Sequence, residues 1–445
     1  MTKRLWSVLA LLLSLSLIAA ACGDDDDSSS SESESEESAE GGDTEGDDTE
    51  GDTEGDDTEG DDTEGDAAAG DGEMMGDTLV IGSILPETGA LAVLGSPMIN
   101  GVPLAVEDIL AGGGNVEHIP ADSGTDPDAA TEAANRLIGE GANVIVGAAA
   151  SGVSQALLET LLASEIPQCS PSNTAPTFAG QDNAAFYFRT VPGDDVVTPI
   201  FADTIIADGH QNVAIAARAD EYGEALSALL SEALTESGVT NTVITYNPEE
   251  TSFDATVEAI NAEAPDAVAL IAFSEGAQII RGLIEGGTSP DVLYGSDGLA
   301  TVNLPAEVNP DDANVVDGMK VIAALGDVTF GERLAERTGG DLLYGAHSYD
   351  CTIILTLASE AAGSVAGADI IANVVAVTSG DNECTTYADC HELLAAGESI
   401  AYNGPAGAGA IGEKGESPAA VAYSIAEFID GAPITQDVVS VDLSS

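Results

Sequence analysis

Two short stretches carry the residue types that could hold an anion. Ala149-Ala150-Ser151-Gly152 and Ser170-Pro171-Ser172-Asn173-Thr174 are rich in hydroxyls and in small side chains that leave backbone N–H groups accessible. Such groups suit a carboxylate, and the first stretch opens a helical pattern whose N-terminus favours negative charge. Either stretch alone is explained by ordinary loop and cap chemistry. Two of them on adjacent strands shift the balance toward a binding cradle. Three other residues have the complementary character: Tyr222 after Asp220-Glu221, Phe273 at the end of an apolar run, and Asp297 within Tyr294-Gly295-Ser296-Asp297-Gly298. Each falls where a strand gives way to a loop, so one acid and two aromatics are expected at a common sheet edge.

Positioning these residues requires strands and helices in alternation. Asn143 to Gly147 is a short apolar run, Val153 to Ser164 has helix-spaced leucines, and Ile166 to Cys169 is a second short run, which together read as a βαβ unit. Loops leaving the strand C-termini of such a unit lie on one edge of a parallel sheet, where small ligands bind. Upstream, a strand is expected over Thr78 to Leu85 and another within Asn115 to Asp122. The helix between them starts at Ser96-Pro97 or, because Pro103 is awkward inside a helix, near Asn100. Asp126-Pro127 starts a helix through Ile138, and Phe186 to Val191 reads as one more strand. From Pro192 the alternation restarts, with strands at Asn212 to Ala217, Thr240 to Tyr246, Ala267 to Ala272, Val292 to Gly295 and Met319 to Ala324 separated by helical patterns. Helical patterns follow over Phe330 to Thr338 and Tyr344 to Ala362, and the tail is strand-like over Ala420 to Phe428. The fold class is α/β, with two doubly wound lobes.

The first 77 residues or so contribute to neither lobe. Lys3 and Arg4 precede an apolar run from Leu5 to Ala21 that ends in small residues just before Cys22, the arrangement of a bacterial lipoprotein signal with lipid on Cys22. Residues 22–77 are mostly Asp, Glu, Ser, Thr and Gly with an imperfect TEGDD repeat, a composition that cannot build a core and repels itself, so a disordered acidic tether is expected. The formal charge of the chain is −69, and no lysine or arginine occurs between Arg4 and Arg136. Nucleic acid is thereby excluded as a partner, since phosphates need a basic face. Beyond Cys22 the four cysteines of an exported chain point to disulfides: Cys384 with Cys390 in a short polar loop, leaving Cys169 and Cys351 as a second candidate pair. A zinc site from Cys384, Cys390 and His391 lacks a fourth ligand at familiar spacing.

Cofactor and catalytic motifs are missing or out of context. Gly407-Ala408-Gly409-Ala410-Ile411-Gly412 spells the dinucleotide fingerprint but neither follows a strand nor opens a helix, so it reads as a glycine-rich turn. There is no HExxH, GxSxG or P-loop, and no metal or cofactor is expected.

In order along the chain, IGSILPETGALAVLG, AVEDILAGGG, SGTDPDAATEAANRLI, GAAASGVSQ, SPSNTAP, FYFRTVPGDD, ADEYGEAL and LYGSDGLA resemble the blocks of the leucine/isoleucine/valine-binding proteins, type I periplasmic solute-binding subunits of ABC importers. The resemblance covers about residues 78 to 430. It implies two lobes joined by three crossovers near Val191-Pro192, Ala324-Leu325 and Asn403-Pro405, with 78–191 plus 325–404 as the first lobe and 192–324 plus 405–445 as the second. It further implies that Ser151, the Ser172 backbone and Thr174 hold a ligand α-carboxylate, that Asp297 pairs with the ammonium, and that Tyr222 and Phe273 close over the ligand. Leu94 stands where the family often has an aromatic, at the side-chain pocket. Implied partners are an amino acid or amide and ABC permease subunits, for a non-enzymatic, monomeric protein held outside the cell membrane by its lipid. A sensing module for a membrane receptor or kinase is the alternative, and an exported hydrolase a more distant one.

Overall fold

The computed structural model describes residues 77–407, 409–412, 418 and 420–443. The expected signal peptide, Cys22, the acidic stretch to residue 76 and part of the glycine-rich segment around 408 and 413–417 lie outside the described residues.

Five strands, β1 (Leu79–Leu85), β2 (Val116–Asp122), β3 (Val144–Gly147), β4 (Gln168–Ser170) and β5 (Tyr187–Arg189), form an all-parallel sheet in the order β2-β1-β3-β4-β5. The two central strands β1 and β3 are largely apolar and buried along their length, as strands covered on both faces are, whereas the edge strand β2 carries exposed Glu117 and Pro120. A second sheet contains β6 (Asn212–Arg218), β7 (Thr240–Tyr246), β8 (Ala267–Ile271), β9 (Leu293–Gly295) and β10 (Lys320–Ala324). After a separate ladder of β11 (Asn382–Cys384) and β12 (Ile400–Tyr402), the chain returns as β13 (Ala420–Ile429) and β14 (Ala432–Asp442), antiparallel additions that give the order β14-β13-β10-β9-β8-β6-β7.

The helices are α1 (Gly95–Ala111), α2 (Pro127–Gly139), α3 (Ser151–Ala163), α4 (Asp194–Ala207), α5 (Glu221–Glu236), α6 (Asp254–Ala262), α7 (Gly276–Glu285), α8 (Leu304–Val308), α9 (Val328–Thr338), α10 (Gly345–Ala362), α11 (Gly367–Thr378) and α12 (Tyr387–Ala395). Local chemistry sets their starts: Asp126 accepts from the Ala129 N–H at 2.7 Å with Pro127 next, and Asp220 accepts from the Gly223 N–H at 2.9 Å. α1 begins at Gly95 and runs through Pro103 without a break. Burial of Met98, Val102, Ala105 and Ile109 against the first sheet and α10 offsets the one hydrogen bond that a proline removes. The segment around Cys384 and Cys390 is not the loop expected of its polar sequence; β11 ends at Cys384, and Thr386 caps α12 by accepting from the Asp389 N–H.

Helices α1, α9 and α10 pack together, and α10 lies against β1, β3 and β4, so the segment after β10 returns to the first sheet. The chain therefore crosses between the sheets around 190–193, 325–327 and 403–407. The last two crossings touch, the Asp327 N–H donating to the Pro405 carbonyl at 2.7 Å. The third is also tied to α10: buried Asp350 accepts from the Tyr402 hydroxyl at 2.7 Å and the Ala406 N–H at 2.9 Å. Disulfides join Cys169 of β4 to Cys351 of α10, and Cys384 to Cys390. Among the described residues no single helix is long and apolar enough to cross a membrane.

Candidate functional site

The strand order puts the expected site residues at facing edges. In the first sheet Leu94 follows β1, Ser151 follows β3, and Ser172 and Thr174 follow β4; in the second, Tyr222 follows β6, Phe273 follows β8 and Asp297 follows β9. In each sheet these are the carboxyl ends of neighbouring strands around the point where strand order reverses. The two edges meet directly, the Ser274 N–H donating across the cleft to the Ala90 carbonyl at 3.2 Å.

The two hydroxyl-rich loops are stapled to each other. Ser170 Oγ donates to the Ala148 carbonyl at 2.8 Å, Ser172 Oγ to Ala149 at 3.0 Å, and the Asn173 amide to Ala149 at 2.7 Å. Asn173 was expected at the ligand, but its amide oxygen accepts from Tyr187 and it lines neither chamber of the cleft. Its polar atoms are taken up in fixing one loop against the other. Gly147 makes the approach possible: at φ 114° it lies so close to β1 that a Cβ would stand 2.1 Å from the Ile84 carbonyl.

The cleft holds two small chambers, each with about 10 Å³ of free space, separated by Asp297 and Tyr344, which line both. One is walled by Ser151, Ser172, Leu94, Met98, Tyr222 and Phe273. The other brings Thr174 together with Asp194, Ser296 and Tyr423. A ligand of amino-acid size enters only when the lobes part.

Asp297 is the electrostatic centre. Tyr222 donates to its Oδ1 and Tyr344 to its Oδ2, the latter at 2.5 Å. Burial pushes its pKa up, opposed by the hydrogen bonds from Tyr222 and Tyr344. Both tyrosines have raised pKa values, from burial and from the adjacent carboxylate, and so remain protonated donors. The Tyr222 ring stacks on Phe273 with centroids 5.3 Å apart, and the Arg218 guanidinium lies 3.6 Å from the Phe273 centroid. Arg218 is itself held by Asp220 at 2.6 Å and by buried Glu275 at 2.8 Å, which fixes the aromatic wall of the second lobe.

Two residues escaped the sequence reading. Tyr344, just ahead of α10, adopts φ 61°, a left-handed backbone that is rare for a bulky residue, and reaches Asp297 from the first-lobe side. Asp194, the first residue of α4, is fully buried; its N–H donates to the Thr174 carbonyl at 2.7 Å. The Thr174 hydroxyl is a nearby donor, but neither Asp194 oxygen nor Thr174 Oγ1 completes a well-formed hydrogen bond. Burial, then repulsion from Asp297, pushes the Asp194 pKa well up. Buried groups left in this condition mark a place where a ligand supplies the partners. The zinc alternative has no support here: Cys384 and Cys390 are bonded to each other, and His391 Nδ1 faces Glu360 at 2.9 Å.

The profile of a family described as periplasmic binding protein matches residues 78–431. The chain is 27% identical over 324 residues to the Leu/Ile/Val-binding protein BraC3 of Rhizobium johnstonii, covering 57% of this chain and 88% of that one. It is 26% identical over 354 residues to the chemotactic signal transduction system substrate-binding protein BasB of Halobacterium salinarum, covering 75% and 83%. The structure resembles a leucine binding protein LivK from Thermotoga maritima with a TM-score of 0.68 and 21% identity, over 81% of this chain and 99% of that one.

Proposed function

The chain belongs to the periplasmic binding protein family over residues 78–431, and from that premise we propose that it is the extracytoplasmic substrate-binding component of an ABC importer for a branched-chain or similar amino acid. The observation that carries this reading is that Thr174 of one lobe and Asp297 of the other line a single chamber. In the proposed complex the Ser151 hydroxyl, the backbone of Ser172 and Thr174 and the N-terminus of α3 take the α-carboxylate. Asp297 takes the ammonium, and Asp194 stands ready as a second acceptor beside it. Tyr222 and Phe273 cover the ligand from the second lobe, and Leu94 and Met98 shape the side-chain end. Because the carboxylate and ammonium partners belong to different lobes, only a ligand that carries both groups favours closure.

The lobes are taken as 78–191 with 325–404 and 192–324 with 405–445. Lipid on Cys22 would hold a monomer to the membrane through the acidic segment, within reach of the permease. A thermal-shift screen of amino acids, amides and aromatic carboxylates tests the ligand class: leucine, isoleucine or valine should raise the melting temperature by mass action. A response confined to ligands without an ammonium would overturn the reading.

A second reading, a sensor that reports its ligand to a membrane receptor, is favoured by the likeness to the chemotactic protein, which spans more of this chain than the Leu/Ile/Val-binding relative does. Co-purification from membranes distinguishes the two by recovering permease subunits or a receptor.

A further inference from the structure

A larger cavity, of about 420 Å³, lies beside the ligand cleft, with Tyr344 in the wall of both. Its other walls come from both lobes: Phe330 and Leu334 of α9 on one side, Val321 of β10 and Ala426 of β13 on the other, with the crossing segment 325–327 between them. The volume is that of a small-molecule site, roughly 300–1,000 Å³.

Two buried polar side chains in this apolar lining are poorly served. His347 is 1% exposed, and its Nδ1 has no hydrogen-bond partner. Asp341 is 7% exposed and receives long bonds, 3.3 Å from the Leu343 N–H and 3.4 Å from the Thr301 hydroxyl. Asp327 and Glu332 add negative charge, and no lysine or arginine is among the described lining residues.

We propose that this cavity is a second ligand site, for a small amine with a compact hydrocarbon body, whose ammonium is taken by Asp341 and for which His347 Nδ1 offers a further acceptor. The apolar walls bury the hydrocarbon, and the charge of the lining selects a cation over an acid of the same shape. Burial holds the His347 pKa at about 4, so the ring is neutral and can accept a hydrogen bond at ordinary pH. Since both lobes form the walls, an occupant favours the hinge angle seen here. Tyr344 then links the two sites, because it borders the cavity and donates to Asp297. Occupancy of either site should therefore change the affinity of the other by the same factor.

The site does not depend on what the cleft binds. The test is calorimetric titration of the full chain with benzylamine, using benzyl alcohol and benzoate as uncharged and anionic analogues. Benzylamine should bind more tightly than either. Asp341→Asn should weaken it about tenfold or more, as loss of a charge-assisted hydrogen bond does, and Ala335→Trp, which fills the cavity from a half-exposed position on α9, should abolish it. Binding should survive Asp297→Asn. No binding of benzylamine, or binding that is lost in Asp297→Asn and kept in Asp341→Asn, overturns the proposal, the latter by putting the amine in the cleft. Asp341-dependent binding of benzylamine in a protein that ignores amino acids would leave this site standing and refute the cleft reading.

Discussion

At the scale of single residues, Asp297 decides what the cleft can hold. It receives two tyrosine hydroxyls and is only partly exposed in the cleft, so an ammonium placed against it forms a pair largely shielded from water. Asp297→Asn is expected to weaken amino-acid binding by about 2–5 kcal/mol, the usual cost of removing one partner of a buried pair, as read by calorimetry. The pH dependence follows from the same environment. The ammonium needs the ionised acid, and burial raises the Asp297 pKa, so affinity should fall on acidification at a higher pH than for an ordinary carboxyl of about 3.9. Tyr344→Phe removes a donor that stabilises the ionised form and should move that loss to still higher pH, measured as the affinity profile of the two proteins. Asp194, whose oxygens lack well-formed partners, should matter less to the free protein than to the complex, so Asp194→Asn should cost affinity more than melting temperature.

At the scale of elements, Asp350 shows how a helix is made to hold a crossover. Its carboxyl joins α10 to Tyr402 and Ala406, and Gly404 is required beside it, since a Cβ there would lie 2.1 Å from Asp350 Oδ1. Burial pushes the Asp350 pKa up to about 7. The folded state therefore binds a proton that the unfolded chain releases at lower pH. That contribution is complete below about pH 4 and is lost as pH rises through about 7. Denaturant titrations at about pH 5.5 and about pH 8.5 should show a stability difference that Asp350→Asn reduces. Elements of this kind divide into those the sequence announces and those it conceals. The βαβ units were legible because buried parallel strands are continuous apolar runs, as in Val144–Gly147, and the residues after them inherit a place at the sheet edge. β14 was not, because residues 434–438 are exposed and give no alternation. α12 was hidden by its polar surface. Asp194 looked like an ordinary acid at a helix start, and Tyr344 like the first residue of a core helix; what makes them part of the site is where the crossovers deliver them, which only the tertiary structure fixes.

At the scale of the whole molecule, stability and ligand capture are held in different places. The Cys169–Cys351 bond joins residues separated by 182 positions, both fully buried, and ties β4 to α10 within one lobe. Replacing both cysteines with serine is expected to cost about 2–5 kcal/mol of unfolding free energy, measured by guanidinium titration, with little change in which amino acids are preferred. The bond between Tyr344 and Asp297 does the opposite work, since it must break whenever the lobes separate. Tyr344 holds a backbone twist that an L-amino acid resists, so with the ring removed, glycine at 344 should be more stable than alanine by roughly 1 kcal/mol, the reverse of their usual order near a helix. The clasp that shuts the cleft is thus anchored at a point already under torsion. A carrier has to surrender its cargo as reliably as it captures it, and a latch mounted on a wound joint suits both halves of that task.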